Sequence, residues 1–307
     1  MVESNSRMGG LLEQPATSQQ LLHRYGLYEP LFYATWQPAT GWHWHGVQTQ
    51  YHRWLKQLLH GDLGYSYRLE APVWDVVKQA LRYTLPLTLL AAALSIALAL
   101  GVATATSYRP SARRWFIRVA HILQSFPLFL LALGLLLLLA NPDALSWFPA
   151  FGLGPADQES TGWSRPGLLL YQLTLPIISL VLGSFPALAI QLDGALRHEF
   201  NRPYIATARA KGSSPAGIVW RHALRNAVLP TVTLLTELLP SIVAGSVVVE
   251  VVFALPGMGR LLADAALNQD FPVLLGGVGL VAMVRLGAQL LADVLYPILD
   301  PRIRPEV

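Results

Sequence analysis

The sequence predicts an all-α fold, a polytopic bundle of membrane-spanning helices, and three observations carry that prediction. Hydrophobic residues occupy 53% of the 307 positions and charged residues only 13%, whereas soluble domains carry about 25% charge. Mean hydropathy is +0.42. The apolar residues are gathered into uncharged runs, Tyr83 to Tyr108, Val119 to Pro142 and Pro166 to Leu192, each longer than the ~20 residues a helix needs to cross hydrocarbon. The basic residues fall in alternate connections: Ser107 to Arg118 carries Arg109, Arg113, Arg114 and Arg118 without an acid, and Gln191 to Arg225 carries six basic against two acidic residues. Those two connections are expected in the cytoplasm. The connections Asn141 to Arg165 and Glu250 to Asp270 are acidic on balance and are expected outside.

Residues 1–80 form an N-terminal region expected outside the membrane, followed by a transmembrane domain over 81–304 and a short tail, 305–307. The N-terminal region has no apolar run able to export it and no visible signal peptide. A further membrane helix, lost from this N-terminus, is the expected reason. Within the region a polar start leads to Leu21–Tyr33, and an amphipathic stretch, Tyr51 to Leu59, leads to a turn at Gly61-Asp62-Leu63-Gly64. Between them, Ala34 to Gln50 holds His43 and His45 flanked by Trp42 and Trp44, with His52 and His60 beyond. Two histidines at i, i+2 are a weak metal-capture candidate, because no third ligand follows at helical spacing. A tryptophan-rich external loop suits the lipid interface equally.

Two further spans, Asn226 to Val249 and Val273 to Leu299, are apolar apart from Glu237 in the first and Arg285 and Asp293 in the second. Charge in hydrocarbon is costly and must face protein or a water-filled cavity. Arg285 and Asp293 stand about 12 Å apart along one helix, too far to pair. Arg285 is therefore expected to pair with Glu237, as a structural lock or as part of a pathway wall. Pro127, Pro176, Pro186 and Pro240 sit inside spans, and Gly276, Gly277 and Gly279 cluster in the last one. Such residues permit bends and close helix approach.

The connection NRPYIATARAKGSSPAGIVWRHALRNAVLP, Asn201 to Pro230, reads as a basic two-helix elbow. Asn201 is placed to cap a first turn, Pro203 stands where a helix has no donor to lose, and Gly212 supplies a left-handed exit. Arg209 and Lys211 fall in the last turn, where the helix dipole favours cations. Ser214-Pro215 repeats the cap-plus-proline start, and Arg221, His222, Arg225 and Asn226 ride on the second helix.

Thr207–Gly212 (TARAKG), Arg221–Ala227 (RHALRNA) and Leu229-Pro230 resemble, in that order, a signature of the membrane-spanning permease subunits of bacterial ABC importers of the dipeptide, oligopeptide and nickel branch. GDLGYSYR (Gly61 to Arg68), VVVEVVFALPGMGRLL (Val247 to Leu262) and LYPILDPRIR (Leu295 to Arg304) look like further blocks of that family, so the likeness covers roughly residues 20–304. It implies six spans where five are visible. It implies a multi-pass protein of the bacterial inner membrane. It also implies a second homologous permease, two cytoplasmic ATPase subunits and an external solute-binding protein as partners, with ATP and Mg used by the ATPases and no cofactor on this chain.

In that family the loop corresponding to residues 191–225 presents a coupling helix to the ATPase. The resemblance carries this role to Tyr204, Thr207, Ala208, Arg209, Lys211, Gly212, Arg221, His222, Arg225 and Asn226. The general importer version of the loop begins Glu-Ala-Ala, and this chain has Ala206-Thr207-Ala208, so a contact through that glutamate has no counterpart. The implied activity is alternating-access import of short peptides, with nickel or another small solute as the alternative.

The sequence contains no G-x-x-x-x-G-K-[ST], and in Ala210-Lys211-Gly212-Ser213 the lysine precedes the glycine. The chain is expected to hydrolyse no ATP and to catalyse no reaction of its own. A secondary transporter, the rival reading, predicts inverted repeats and a broken-helix ion site, and no internal repeat is visible. The chain has no cysteine, and its formal charge of +4 comes mainly from the arginine-rich connections. Nucleic-acid binding is not needed to explain it.

Overall fold

In a computed structural model, the structure describes residues 30, 32–37, 41–107, 109–149, 166–227 and 246–299. It divides into two compact units, Met1–Trp74 and Asp75–Val307.

The first unit opens with an antiparallel ribbon of β1 (Ala34–Gln37) and β2 (Gly41–Trp44), with Trp36 opposite Trp42 and Ala34 opposite Trp44. Helix α1 (Gln50–Leu59) follows, capped by the Thr49 side chain, which accepts from the His52 N–H at 3.2 Å. Tyr51, Trp54, Leu55 and Leu58 recur at the spacing of one helix face. The turn beyond it contains Gly61 (φ 78°) and Gly64 (φ 90°), and the Asp62 carboxylate accepts from the Gly64 N–H at 2.9 Å. A two-residue ribbon, β3 (Tyr65–Ser66) with β4 (Ala71–Pro72), leads to the next helix.

The second unit is helical. Helix α2 runs Val73–Thr106, starting well before the apolar run at Tyr83. Along it, Ala91, Ser95, Ala99 and Ala103 recur every fourth residue and are buried, while Leu85, Leu89, Leu94 and Leu98 are exposed. Small residues inward let neighbouring backbones approach, and leucines outward suit lipid.

The second apolar run is not one straight span. It divides into α3 (Pro110–Ser125) and α4 (Leu128–Leu139), bent by 98°. The cause is local: Phe126 is extended, with ψ 129°, as the residue before a proline tends to be, and Pro127 has no N–H to continue the ladder. A 12-residue helix such as α4 measures about 18 Å and cannot cross hydrocarbon alone.

Helix α5 (Pro166–Phe200) tolerates Pro176 and Pro186 in its interior and continues beyond Leu192, so the expected connection from Gln191 is helical to Phe200. Among the described residues, α2 and Leu170–Phe200 are long and apolar enough to span a membrane, and the bent α3–α4 pair is the third candidate. Expected span 226–249 falls largely on 228–245, outside the described residues, and Glu237 and Pro240 with it. The expected last span falls on helix α9 (Phe271–Leu299), whose apolar part Phe271–Gly287 is shorter than a full span; α8 (Met258–Leu267) precedes it. Gly277 lets these two meet: a Cβ there would lie 2.6 Å from Leu262 Cδ2 and 2.8 Å from Met258 Cε. Arg285 is exposed on α9, and its expected pairing with Glu237 falls outside the described residues.

The main core joins Leu87, Ala91 and Ala99 of α2 with Leu173, Leu175 and Leu180 of α5 and with Val249, Phe253 and Leu255. One end of it is closed by Glu250, which is fully buried. Thr84 Oγ1 donates to Glu250 Oε1 at 2.6 Å, and the N–H groups of Gly259 and Arg260 donate to Oε2 at 2.7 and 3.1 Å. The Ser246 side chain also bonds the carboxyl. The Met258 N–H in turn donates to Thr84 Oγ1 at 2.8 Å. The carboxylate thus takes up the free donors at the start of α8, where the helix dipole also favours a negative charge.

Gly257 and Gly259 make this seat possible, since a Cβ on Gly257 would come within 2.3 Å of Glu250 Cδ and one on Gly259 within 2.5 Å of Val247 Cα. Glu250→Ala, which leaves these buried donors unpaired, is expected to cost about 1–3 kcal/mol, and Thr84→Val, which removes the hydroxyl's bonds to Glu250 and to the Met258 N–H, about 1–2 kcal/mol. Gly257→Ala is expected to destabilise at least as much as Thr84→Val. Thermal unfolding of the purified chain in detergent checks the order; equal melting temperatures for all four proteins would count against the seat.

Candidate functional site

The elbow begins where α5 ends. The Asn201 N–H bonds back to the His198 carbonyl at 3.3 Å, and the cap of the next helix is Arg202, in extended conformation and without a side-chain cap bond. This corrects the expected Asn201 cap: the chain needs one more residue to turn. Helix α6 is Pro203–Ala210, with Pro203 at its first position. Gly212 has φ 79°, the left-handed exit the sequence calls for, and the Ser213 N–H returns to the Ala208 carbonyl at 3.1 Å.

Ser214 caps the next helix, α7, its hydroxyl accepting from the Gly217 N–H at 3.2 Å. After Pro215–Gly217, α7 continues in π-helical form over Ile218–Ala223. The wider turn is a local feature that no spacing in the sequence announced.

The underside of the elbow is apolar. Ile205, Ala208, Ile218, Val219, Ala223 and Ala227 are buried in a cluster with Leu192 and Leu196 of α5 and Ala103 of α2. Ala208, one of the residues expected to meet a partner, belongs to this buried base, because it lies one turn from Ile205 on the same face. Its methyl group holds the elbow down rather than facing outward. The outer face carries Tyr204, Thr207, Arg209, Lys211, Gly212, Arg221, Arg225 and Asn226 exposed, with His222 half-buried. Among the described residues none of Arg209, Lys211, Arg221 and Arg225 takes part in an ion pair. The elbow therefore presents unneutralised positive charge over an apolar footing.

Tyr204 ties the two helices together. Its hydroxyl donates to Glu199 Oε2 at 2.5 Å and accepts from Asn226 Nδ2 at 3.0 Å. Burial, with the Glu199 carboxylate beside it, lifts the phenol above the ordinary tyrosine range, so the hydroxyl keeps its proton and continues to donate.

A second tie was not expected. Asp193, the first charge after the apolar run of α5, is buried and accepts from Arg113 of α3: Nε donates to Oδ1 at 2.7 Å and Nη2 to Oδ2 at 2.5 Å. Arg197 adds a weaker contact, Nε to Oδ2 at 3.7 Å. A cleft of about 200 Å³ opens beside the pair, bordered by Ser107, Arg197, Phe200 and Asn201. The only signals in the sequence were an acid directly following an apolar run and a nearby arginine cluster without acids.

The histidines of the first unit do not gather. His45 Nε2 lies 2.7 Å from Thr35 Oγ1, and His52 Nδ1 lies 3.1 Å from Tyr33 Oη. Among the described residues there is no group of three side chains able to hold a metal ion.

Residues 95–305 match the family model described as binding-protein-dependent transport system inner membrane component. The chain is 31% identical over 291 residues to the oligopeptide transport system permease protein AppB of Bacillus subtilis, covering 94% of this chain and 85% of that one. It is 36% identical over 264 residues to a putative peptide permease protein of Brucella ovis, covering 84% and 80%. With the inner membrane ABC transporter permease protein YejB of Escherichia coli O157:H7 it shares 28% over 305 residues, 98% and 79% of the two chains. A chain of the inward-facing MetNI methionine ABC transporter superposes with a TM-score of 0.58 at 18% identity, over 74% of this chain and 97% of that one.

Asp193→Asn leaves the Arg113 guanidinium beside a neutral amide and is expected to cost about 3 kcal/mol, whereas Arg113→Met with Asp193→Leu removes both charges and is expected to recover most of that loss. Gly212→Ala, at a backbone φ that L-residues disfavour, is expected to cost about 1 kcal/mol. Detergent-melting curves of the variants check both; a double variant no more stable than Asp193→Asn would count against an unpaired Arg113 as the source of that loss.

Proposed function

Because this chain belongs to the family of binding-protein-dependent transport system inner membrane components, we propose that it forms one half of the pathway of an ATP-driven importer of short peptides. The observation that supports this most directly is the elbow: a basic outer face, carried on an apolar base that is continuous with two long helices. ATP hydrolysis would occur on separate cytoplasmic subunits, and an external binding protein would deliver the solute. A second, related permease would complete the pathway. The peptide substrate is inferred from the named relatives.

The elbow's construction suits it to receive displacement. Ile205 and Ala208 pack on Leu196 and Leu192, so a push on α6 is taken up by the end of α5 rather than dissipated in a loop. The Arg113–Asp193 pair then joins α5 to α3, and α3 to the bend before α4. Packed elements of this kind shift between discrete arrangements. Alternating access follows if ATPase closure draws the elbows of two permeases together, with the midplane opening outward as the inner ends approach.

Arg209, Lys211, Arg221 and Arg225 are the residues we assign to ATPase contact, with Tyr204 and Asn226 holding the elbow's shape and Gly212 its turn. Thr207 stands between Tyr204 and Lys211 on the exposed face, and His222 on α7 is half-buried.

The test uses the complete reconstituted assembly. Uptake of a short peptide into proteoliposomes is expected to require ATP and to stop with vanadate; uptake driven instead by an ion gradient would overturn the reading. The absence of native cysteine makes a Thr207→Cys variant a clean probe. It is expected to crosslink to a cysteine-bearing ATPase subunit, while Arg209→Glu with Lys211→Glu is expected to lower uptake several-fold and leave binding-protein affinity for the peptide unchanged.

A further inference from the structure

The ribbon of the first unit leaves one face bare. Pairing places Trp36 directly opposite Trp42, and Trp44 follows Trp42 at i+2, so all three indoles project from the same side of the two strands. They are 61%, 76% and 74% exposed. The other side of the ribbon carries Thr35 and His45, bonded to each other. It is continued by Tyr33, whose ring meets Tyr51 edge-on at 5.7 Å and His52 at 6.0 Å on α1. Tyr33, at the start of the ribbon, joins it to its helix, and among the described residues the tryptophans make no ring contact beyond that of Trp44 with Tyr33.

Three indoles in one exposed patch cost water contact that a soluble surface avoids. An indole has an apolar body and one N–H donor, and it is most stable where hydrocarbon gives way to headgroups. Helix α1 has the same character. It sets Trp54, Leu55 and Leu58 on one side and Arg53, Lys56 and Gln57 toward another, and none of its residues is fully buried. The chain leaves this unit directly into α2, whose first residues include Asp75, Lys78 and Arg82 before the uncharged run begins at Tyr83. From Val73 to Tyr83 is about 15 Å of helix. The ribbon is therefore tethered within reach of the membrane surface.

We infer that the Trp36, Trp42 and Trp44 face of the ribbon rests in the headgroup layer of the leaflet where α2 enters the bilayer, anchoring the first unit on lipid. The inference rests on the chain being a membrane protein and is independent of the transport reading. A protein partner would cover such a patch only when present; the bilayer is always present. The tryptophan face also needs no charge complement, which suits a mixed headgroup surface.

The experiment places a nitroxide at Trp42→Cys or at His43→Cys, on opposite faces of one strand, in the full chain reconstituted alone in nanodiscs of phosphatidylethanolamine and phosphatidylglycerol. Oxygen, which partitions into lipid, and a water-soluble nickel chelate are the collision reagents. The ratio of oxygen to chelate collisions is expected to be several-fold higher at 42 than at 43. Equal ratios at both positions would overturn the inference. So would shielding of position 42 from both reagents, which means protein covers it, or shielding that appears only on adding a solute-binding protein.

A second measurement keeps all three indoles. The emission lost between the native chain and Trp36→Phe/Trp42→Phe/Trp44→Phe is expected to be quenched more by lipids brominated near the headgroup than by lipids brominated near the chain end. Emission quenched at neither depth would rule lipid contact out.

Discussion

Charge on a helix that crosses hydrocarbon is costly unless protein or water meets it, and much of the architecture of this chain follows from how charge near the helix ends is met. Among the described residues three carboxylates are buried, Asp193, Glu250 and Asp270, and Glu250 and Asp193 stand toward opposite ends of the helical unit. Thr84, the Glu250 partner, and Ala103, which packs in the cluster beside Asp193, are separated by about 28 Å along α2, close to the thickness of a bilayer core. Glu250 and Asp193 are each met by more than one donor, because an unmatched charge out of water costs several kcal/mol. Glu250 uses backbone N–H groups at the start of α8; Asp193 uses the fork of Arg113.

These two solutions have different mechanical consequences. The Glu250 seat is built from backbone and small residues, with Gly257 and Gly259 allowing no Cβ. It fixes a connection between elements distant in sequence and leaves no side chain free to rearrange. The Arg113–Asp193 pair joins two helices through side chains and opens on a cleft at its edge. That end of the unit also carries the elbow, whose base is packed and whose outer face is not. Among the described residues, one end of the unit is held by backbone donors and the other carries arginines and a lysine without ion pairs on the elbow's outer face.

The long apolar helices were legible because hydrocarbon demands uninterrupted runs, and the basic connections because topology segregates arginine and lysine. Gly212 and Ser214 were legible because a left-handed exit and a cap each admit few residue types. Asn201 misled, since several residues can precede a proline-started helix and the choice of Arg202 depends on how α5 ends. Ala208 misled because a likeness in sequence identifies a segment and does not say which of its faces is buried. The break at Phe126 and Pro127 was marked by a proline, yet Pro176 and Pro186 lie in an unbroken helix. Only packing distinguishes them.

The sequence by itself determined that this chain is a membrane protein, where most of its helices lie, and that one connection is a basic elbow, because these depend on local composition and on caps within a few residues. Tertiary structure alone decided which buried carboxylate meets which donor. Thr84 and Glu250 are 166 residues apart, and Arg113 and Asp193 are 80 apart, and no local rule specifies a contact that forms only when the helices have already packed.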